Sequence, residues 1–118
     1  MESKPMFMHE GLLAYRFAIE FSRVVKTIRG GLPRGCGPLG DQLSRAAQSV
    51  VLNLAEGAAS RYRDVRRRHW DSAVASAAEC GAALDLVEIE CAAKTDVVAL
   101  ARDHLHRTTR LTLGLIRR

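Results

Sequence analysis

The strongest constraint on this chain is the rhythm of its apolar residues. Between residues 39 and 54 they stand at Leu39, Leu43, Ala47, Val50 and Leu54, at gaps of four, four, three and four. That spacing gathers them on one helical face and fits no strand, whose sides alternate at every second residue. The same rhythm recurs in three other segments, and strand-length alternation is nearly absent. The chain is therefore predicted to be all-α, an antiparallel up-down four-helix bundle. Its helices are expected over residues 10–29, 39–58, 61–91 and 96–116, forming one domain, 1–118.

The first helix carries two adjoining stripes: Leu12, Tyr15, Ile19 and Ser22, then Ala18, Phe21, Val25 and Ile28. Gly30 and Gly31 stop it, with Lys26 and Arg29 well placed for its dipole. Gly30 to Gly40, GGLPRGCGPLG, is the only segment dense in glycine and proline and reads as a loop. Pro38 suits a first helical turn, where its missing N–H goes unmissed. Ser60 is expected to cap the third helix, and Thr95 or Asp96 the fourth. The third seam runs through Val65, Ala73, Ala77, Cys80, Leu84, Val87 and Cys91. The fourth runs through Val98, Ala101, Leu105, Thr108, Thr112 and Leu115. Val97, Leu100, His104 and Leu111 fall outside it, either as a patch for another subunit or as scattered surface residues.

Composition narrows the function classes. In 118 residues, 47% are apolar but only 5% aromatic, so alanine, valine and leucine must fill one modest core. Association between chains would add burial. No apolar run approaches the roughly 18 residues of a membrane span. Met1 to Glu10 lacks the apolar segment of a secretion signal, so a cytoplasmic setting is expected. The three cysteines, Cys36, Cys80 and Cys91, are odd in number and form no CxxC, which argues against a disulfide framework or a zinc site. Cys80 and Cys91 lie about three helical turns apart, too far to bridge, and read as small core residues.

Polar residues interrupt the second and third helices. Gln42, Arg45, Ser49, Asn53 and Glu56 are spaced at threes and fours, and Ser76 and Glu79 repeat the pattern on the facing helix. One reading is a polar network that fixes helix register; the other is a pocket with Glu56 and Glu79 as acid/base carboxylates. No histidine, cysteine or serine is set beside these carboxylates as an activated nucleophile, and no glycine-rich phosphate loop is present. The network is the preferred reading, and neither an enzyme nor a cofactor is expected. For a metal there is one weak echo, Asp103 with His106; His104 and His106 face differently, and His69 stands alone.

Charge carries more. Eighteen Lys and Arg stand against thirteen Asp and Glu, a net charge of +5. Arg61, Arg63, Arg66, Arg67 and Arg68 crowd the start of the third helix, relieved only by Asp64. Glu79, Asp85, Glu88 and Glu90 lie towards its other end. Both placements oppose the helix dipole. Either these groups are solvated and paired with neighbouring helices or subunits, or the arginines are held there to meet phosphate. In an up-down bundle Arg117 and Arg118 join the same end. Tyr62 and Trp70 lie nearby, for stacking on bases or for packing, with packing the better reading of Trp70. No helix-turn-helix, zinc-finger or RNA-recognition signature points to sequence-specific readout.

Taken together, Gln42, Arg45, Ala46, Ala47, Ser49, Val50, Asn53, Leu54, Ala55, Glu56, Gly57 and Arg61 resemble a family signature. It is that of the four-helix-bundle family named after proteins encoded in intervening sequences of bacterial 23S ribosomal RNA genes. That family includes accessory proteins of diversity-generating retroelements. Trp70, Ser76 and Glu79 match its aromatic-led third helix, Leu13 to Phe21 its early aromatic segment, and Pro33 the proline after its first helix. Val50 and Leu54 replace isoleucines, the Gly30 to Gly40 loop is unusually rich in glycine, and the end of the third helix is rich in alanine. The resemblance implies a homopentameric ring or barrel with a central channel and no known enzymatic activity. It also implies a reverse transcriptase and RNA as partners of the retroelement members, while the arginine charge by itself would suit RNA or DNA. Members encoded in ribosomal gene insertions have no settled role.

Overall fold

The computed structural model describes residues 8–118, with only the backbone of Glu10 and Gly11; residues 1–7, part of the stretch read above for a secretion signal, lie outside it. A short 3₁₀ turn, Met8–Gly11, precedes four helices: α1 (Leu13–Gly30), α2 (Gly37–Ala59), α3 (Arg63–Cys91) and α4 (Thr95–Ile116). No strand occurs among the described residues. Each helix packs against its neighbours in sequence, and α4 returns against α1. The overall extents are 44 × 35 × 19 Å. The shortest equals about two helix diameters of ~10 Å, so the bundle has two layers of two helices.

Local chemistry sets the ends. Leu12 is extended, with ψ at 126°, and separates the 3₁₀ turn from α1. Pro38 lies in the first turn of α2. The predicted cap at Ser60 is not one. Ser60 closes α2, Tyr62 occupies the position before α3, and the Tyr62 N–H donates to Ser60 Oγ at 3.1 Å. Lys94 stands before α4, and Asp96 Oδ1 accepts the Val97 N–H at 2.9 Å inside its first turn.

In α1 the second predicted stripe is the buried one: Ala18, Phe21, Val25 and Ile28, joined by Ala14. Leu12 and Tyr15, from the first stripe, pack half-buried at its edge. The α4 seam is buried from Val98 through Thr112. Thr108 and Thr112 are tolerated there because their hydroxyls donate to the carbonyls of His104 and Thr108, at 2.8 and 2.7 Å. Val97 and Leu111 pack against the core, and the His104 ring lies 6.0 Å from that of Phe17. The predicted second patch on this helix is thus largely its flank towards α1. Only Leu100 stands well out, half exposed.

Gly57 and Trp70 lock α2 to α3. The indole lies so close that a Cβ on Gly57 would fall 2.5 Å from Trp70 Nε1. The indole N–H donates to the Leu54 carbonyl at 3.4 Å. Polar ties act at the surface. Arg102 of α4 bonds Asp85 at 2.8 Å and also Glu88, both on α3, so two acids that oppose the α3 dipole are paired. The Glu88 hydrogen bond, more than the nearby charge of Asp85, holds the Arg102 guanidinium above its usual range. Arg29 bonds Asp41 at 2.6 Å across the first loop.

The cysteine reading needs correction. Cys36, just before α2, and Cys91, the last residue of α3, form a disulfide with Cα atoms 6.0 Å apart and a sequence separation of 55. Cys80 is the free one and is fully buried. Burial, and then the charge of Glu79, push its thiol up to about 12.

Candidate functional site

Two groups of polar residues were singled out by sequence, and the structure sorts both. On the α2–α3 seam, Ser49 and Ser76 share a hydrogen bond of 2.7 Å. The Asn53 amide donates to the Ser49 carbonyl at 2.9 Å and to its hydroxyl at 3.2 Å. Asn53 Oδ1 lies 3.2 Å from His69 Nδ1, which also lies 3.2 Å from Glu56. Ser49, Asn53, Glu56 and Ser76 are therefore brought together, and His69, read from sequence as solitary, joins them. Its signal was available: thirteen residues after Glu56, across a helix reversal, it returns on α3 beside that carboxylate.

Gln42, Arg45 and Glu79 do not join, because all three side chains are exposed. A step of four residues turns 400° round a helix, so the row drifts by 40° at each step. Ser49 and Asn53 reach the seam, while Gln42 and Arg45 remain on the water side. Glu79 lies three residues from Ser76 and turns away by 60°. Glu56 is also mostly exposed. Neither carboxylate lines the cavities at the arginine end or between α3 and α4. Among the described residues, no three of His, Cys, Asp and Glu gather as a metal site.

The second group is the arginine end. There the start of α3 meets the ends of α2 and α4. Arg66 donates to the Ser60 carbonyl at 3.2 Å, and Arg63 to the Arg118 carbonyl oxygen at 2.8 Å. A helix C-terminus carries partial negative charge, so two neighbouring helix ends offset what the arginines cost α3 at its own N-terminus. Among the described residues, none of Arg61, Arg63, Arg66, Arg67, Arg68, Arg117 and Arg118 forms an ion pair with an Asp or Glu side chain. Arg63, Arg66, Arg67 and Arg118 line one cavity of about 190 Å³ whose floor is Trp70, Leu115 and Ile116. Arg68 and Arg117 are exposed outside it.

The two aromatics separate cleanly. Trp70 is buried. Tyr62 is 63% exposed, and the Arg61 guanidinium stands 5.3 Å from its ring centre. On the far side of Arg66 and Trp70 lies a second cavity of about 450 Å³. Leu12, Ala58 and Ala59 form its apolar wall, and Arg61 and Arg66 edge it. No described helix is long and apolar enough to cross a membrane.

Comparison with known proteins adds lineage. The model of the family described as 23S rRNA-intervening sequence protein matches residues 10–112. No curated protein matches the sequence. Among solved structures, the fold is similar to a crystal structure from Bacteroides thetaiotaomicron VPI-5482. It is described as a protein with unknown function from the S23 ribosomal protein family. The TM-score is 0.80 at 16% identity, covering 90% of this chain and 96% of that one.

Proposed function

The chain belongs to the 23S rRNA-intervening sequence protein family, and from its geometry we propose a non-enzymatic, basic, oligomeric helical module that contacts nucleic acid through its arginine end. One observation carries this reading. Seven arginines cluster at one end of the bundle with no Asp or Glu partner among the described residues, whereas Arg23, Arg29, Arg102 and Arg107 elsewhere are paired within the chain and the remaining arginines are scattered singly. Unpaired guanidinium groups on a shared surface attract phosphate and release its counterions. A nucleoprotein, such as a reverse transcriptase with its RNA, offers the same chemistry, and the cytoplasm is the setting proposed.

Self-association is part of the proposal, as a homopentamer in keeping with the resemblance. It is supported by the apolar side chains left outside the core, Leu52, Leu86, Ile89 and Leu100. An apolar groove of about 470 Å³ between α3 and α4, walled by Val74, Ala77 and Leu105, supports it further. The alternative is a protein-only scaffold in which the arginines pair with acids of neighbouring subunits. Exposed Asp71, Glu79 and Glu90, which have no ion-pair partner among the described residues, favour it.

The test is fluorescence anisotropy on a labelled RNA at low and near-physiological salt. Arg66 is unsuitable for substitution because it holds the end of α2. The variant is therefore Arg67→Gln, Arg68→Gln, Arg117→Gln. Wild type is expected to bind with an affinity that falls steeply with salt. The variant is expected to lose binding while keeping its helical circular-dichroism spectrum. Binding unchanged in the variant would sink the reading.

A further inference from the structure

Resting on the proposed nucleic-acid contact, we infer that the arginine end takes single-stranded nucleic acid, with one unstacked base on Tyr62, a neighbouring base in the Leu12–Ala58–Ala59 cavity and the adjoining phosphates on Arg63, Arg67 and Arg118. Charge alone does not distinguish single strands from duplexes, since both present phosphates. The apolar features do. A duplex keeps its bases stacked inside and offers a wall only sugar and phosphate. An unpaired base offers a flat π-face and little charge.

The site presents both chemistries side by side. Arg66 and Trp70 border both cavities. The cavity with four arginines, about 190 Å³, matches a phosphate group and its oxygens. The other, about 450 Å³, has apolar walls and arginines only at its edge. It is large enough for a nucleobase and poorly suited to a bare phosphate. Tyr62 stands at the corner between α2 and α3, and Arg61 already lies against its ring. A guanidinium packed on an aromatic ring is pre-arranged to extend onto a base as a further layer. Tyr62 is spare for this purpose. It lies outside the core cluster, and removing its ring leaves the Gly57–Trp70 lock untouched.

The experiment compares a fluorescein-labelled single-stranded RNA with the same strand annealed to its complement. Anisotropy is measured at two salt concentrations on wild type, Tyr62→Ala and Tyr62→Phe. Wild type is expected to prefer the single strand by tenfold or more, roughly the worth of one base–aromatic stack. Tyr62→Ala is expected to lose most of that preference without changing duplex affinity, and Tyr62→Phe to keep it. Equal affinity of wild type for both forms would overturn the inference while leaving nucleic-acid contact standing. So would a Tyr62→Ala variant that keeps the preference. No binding of either form overturns this inference together with the reading it rests on. Displacement of the RNA by polyglutamate at equal charge concentration would show that the surface reads charge alone, which also overturns it.

Discussion

Gly57 is where a single hydrogen atom decides a helix contact. A methyl group there meets the Trp70 indole at 2.5 Å, and the indole cannot retreat without leaving the Leu54 carbonyl. Alanine is the better helix former by about 1 kcal/mol, but overpacking of this kind costs typically 1–3 kcal/mol. Gly57→Ala is therefore expected to destabilise the fold in urea titration. Gly114→Ala, where nothing lies within 4 Å of the new Cβ, is expected to stabilise it slightly. Equal effects of the two would mean that the Trp70 contact is looser than the structure has it. Cys80 provides a second test at this scale. Its thiol titrates near 12 in the fold, well above a free cysteine. The folded chain keeps this proton after the unfolded chain has released it. Stability from this group is complete below about pH 8.5 and declines as pH rises from there towards 12. The stability difference between wild type and Cys80→Ala, measured from pH 8 to 11, is expected to narrow with rising pH. A constant difference would mean that the thiol titrates alike in both states.

At the scale of elements, the disulfide joins the loop before α2 to the end of α3. In the chain-entropy account, closing a loop of 55 residues is worth about 4 kcal/mol. Urea unfolding of the oxidised chain, the reduced chain and Cys36→Ser is expected to give the oxidised chain the highest midpoint and the other two similar ones. Three equal midpoints would mean that the bridge contributes nothing to stability. The bridge also shows where sequence reasoning stopped. The periodicity that defines four helices also fixes their directions, and an up-down order puts the end of α1, the start of α2 and the end of α3 at one end. That step, applied to the arginines, correctly placed Arg118 beside the start of α3. The same step brings Cys36 and Cys91 to one end, whereas spacing along a single helix compares only Cys80 with Cys91. The burial of Val98 through Thr112 was legible because a seam of threes and fours tracks one face. The polar row was legible only in part, because which of its members meet the neighbouring helix depends on the rotation of α2 against α3. Spacing within one helix carries no information about that angle. The void that admits Trp70 was marked by Gly57, but a glycine near a helix end reads equally well as a terminator.

For the whole molecule, the open question is what the unpaired arginines face, and assembly and binding answer it differently. Six acids are already engaged within the chain: Glu20, Asp41, Asp85, Glu88 and Asp103 with arginines, and Glu56 with His69. A neighbouring copy would have to offer one of the other exposed acids of the described residues, Asp64, Asp71, Glu79, Glu90 or Asp96, to the arginine end. Such exposed pairs are worth about 0–1 kcal/mol each and are screened by salt. They would make a weak basis for assembly beside the burial available to Leu86, Ile89 and Leu100. The two roles therefore belong to different surfaces, and light scattering can separate them. Arg67→Gln, Arg68→Gln, Arg117→Gln is expected to keep the wild-type assembly mass at both low and near-physiological salt while losing RNA uptake. Ile89→Lys puts a charge on a side chain that is 78% exposed in the single chain, so it costs the fold little. It is expected to lower the mass and spare the helices. A mass that falls with the arginines and not with Ile89 would move the arginine end into a subunit contact and make the chain a protein-only scaffold.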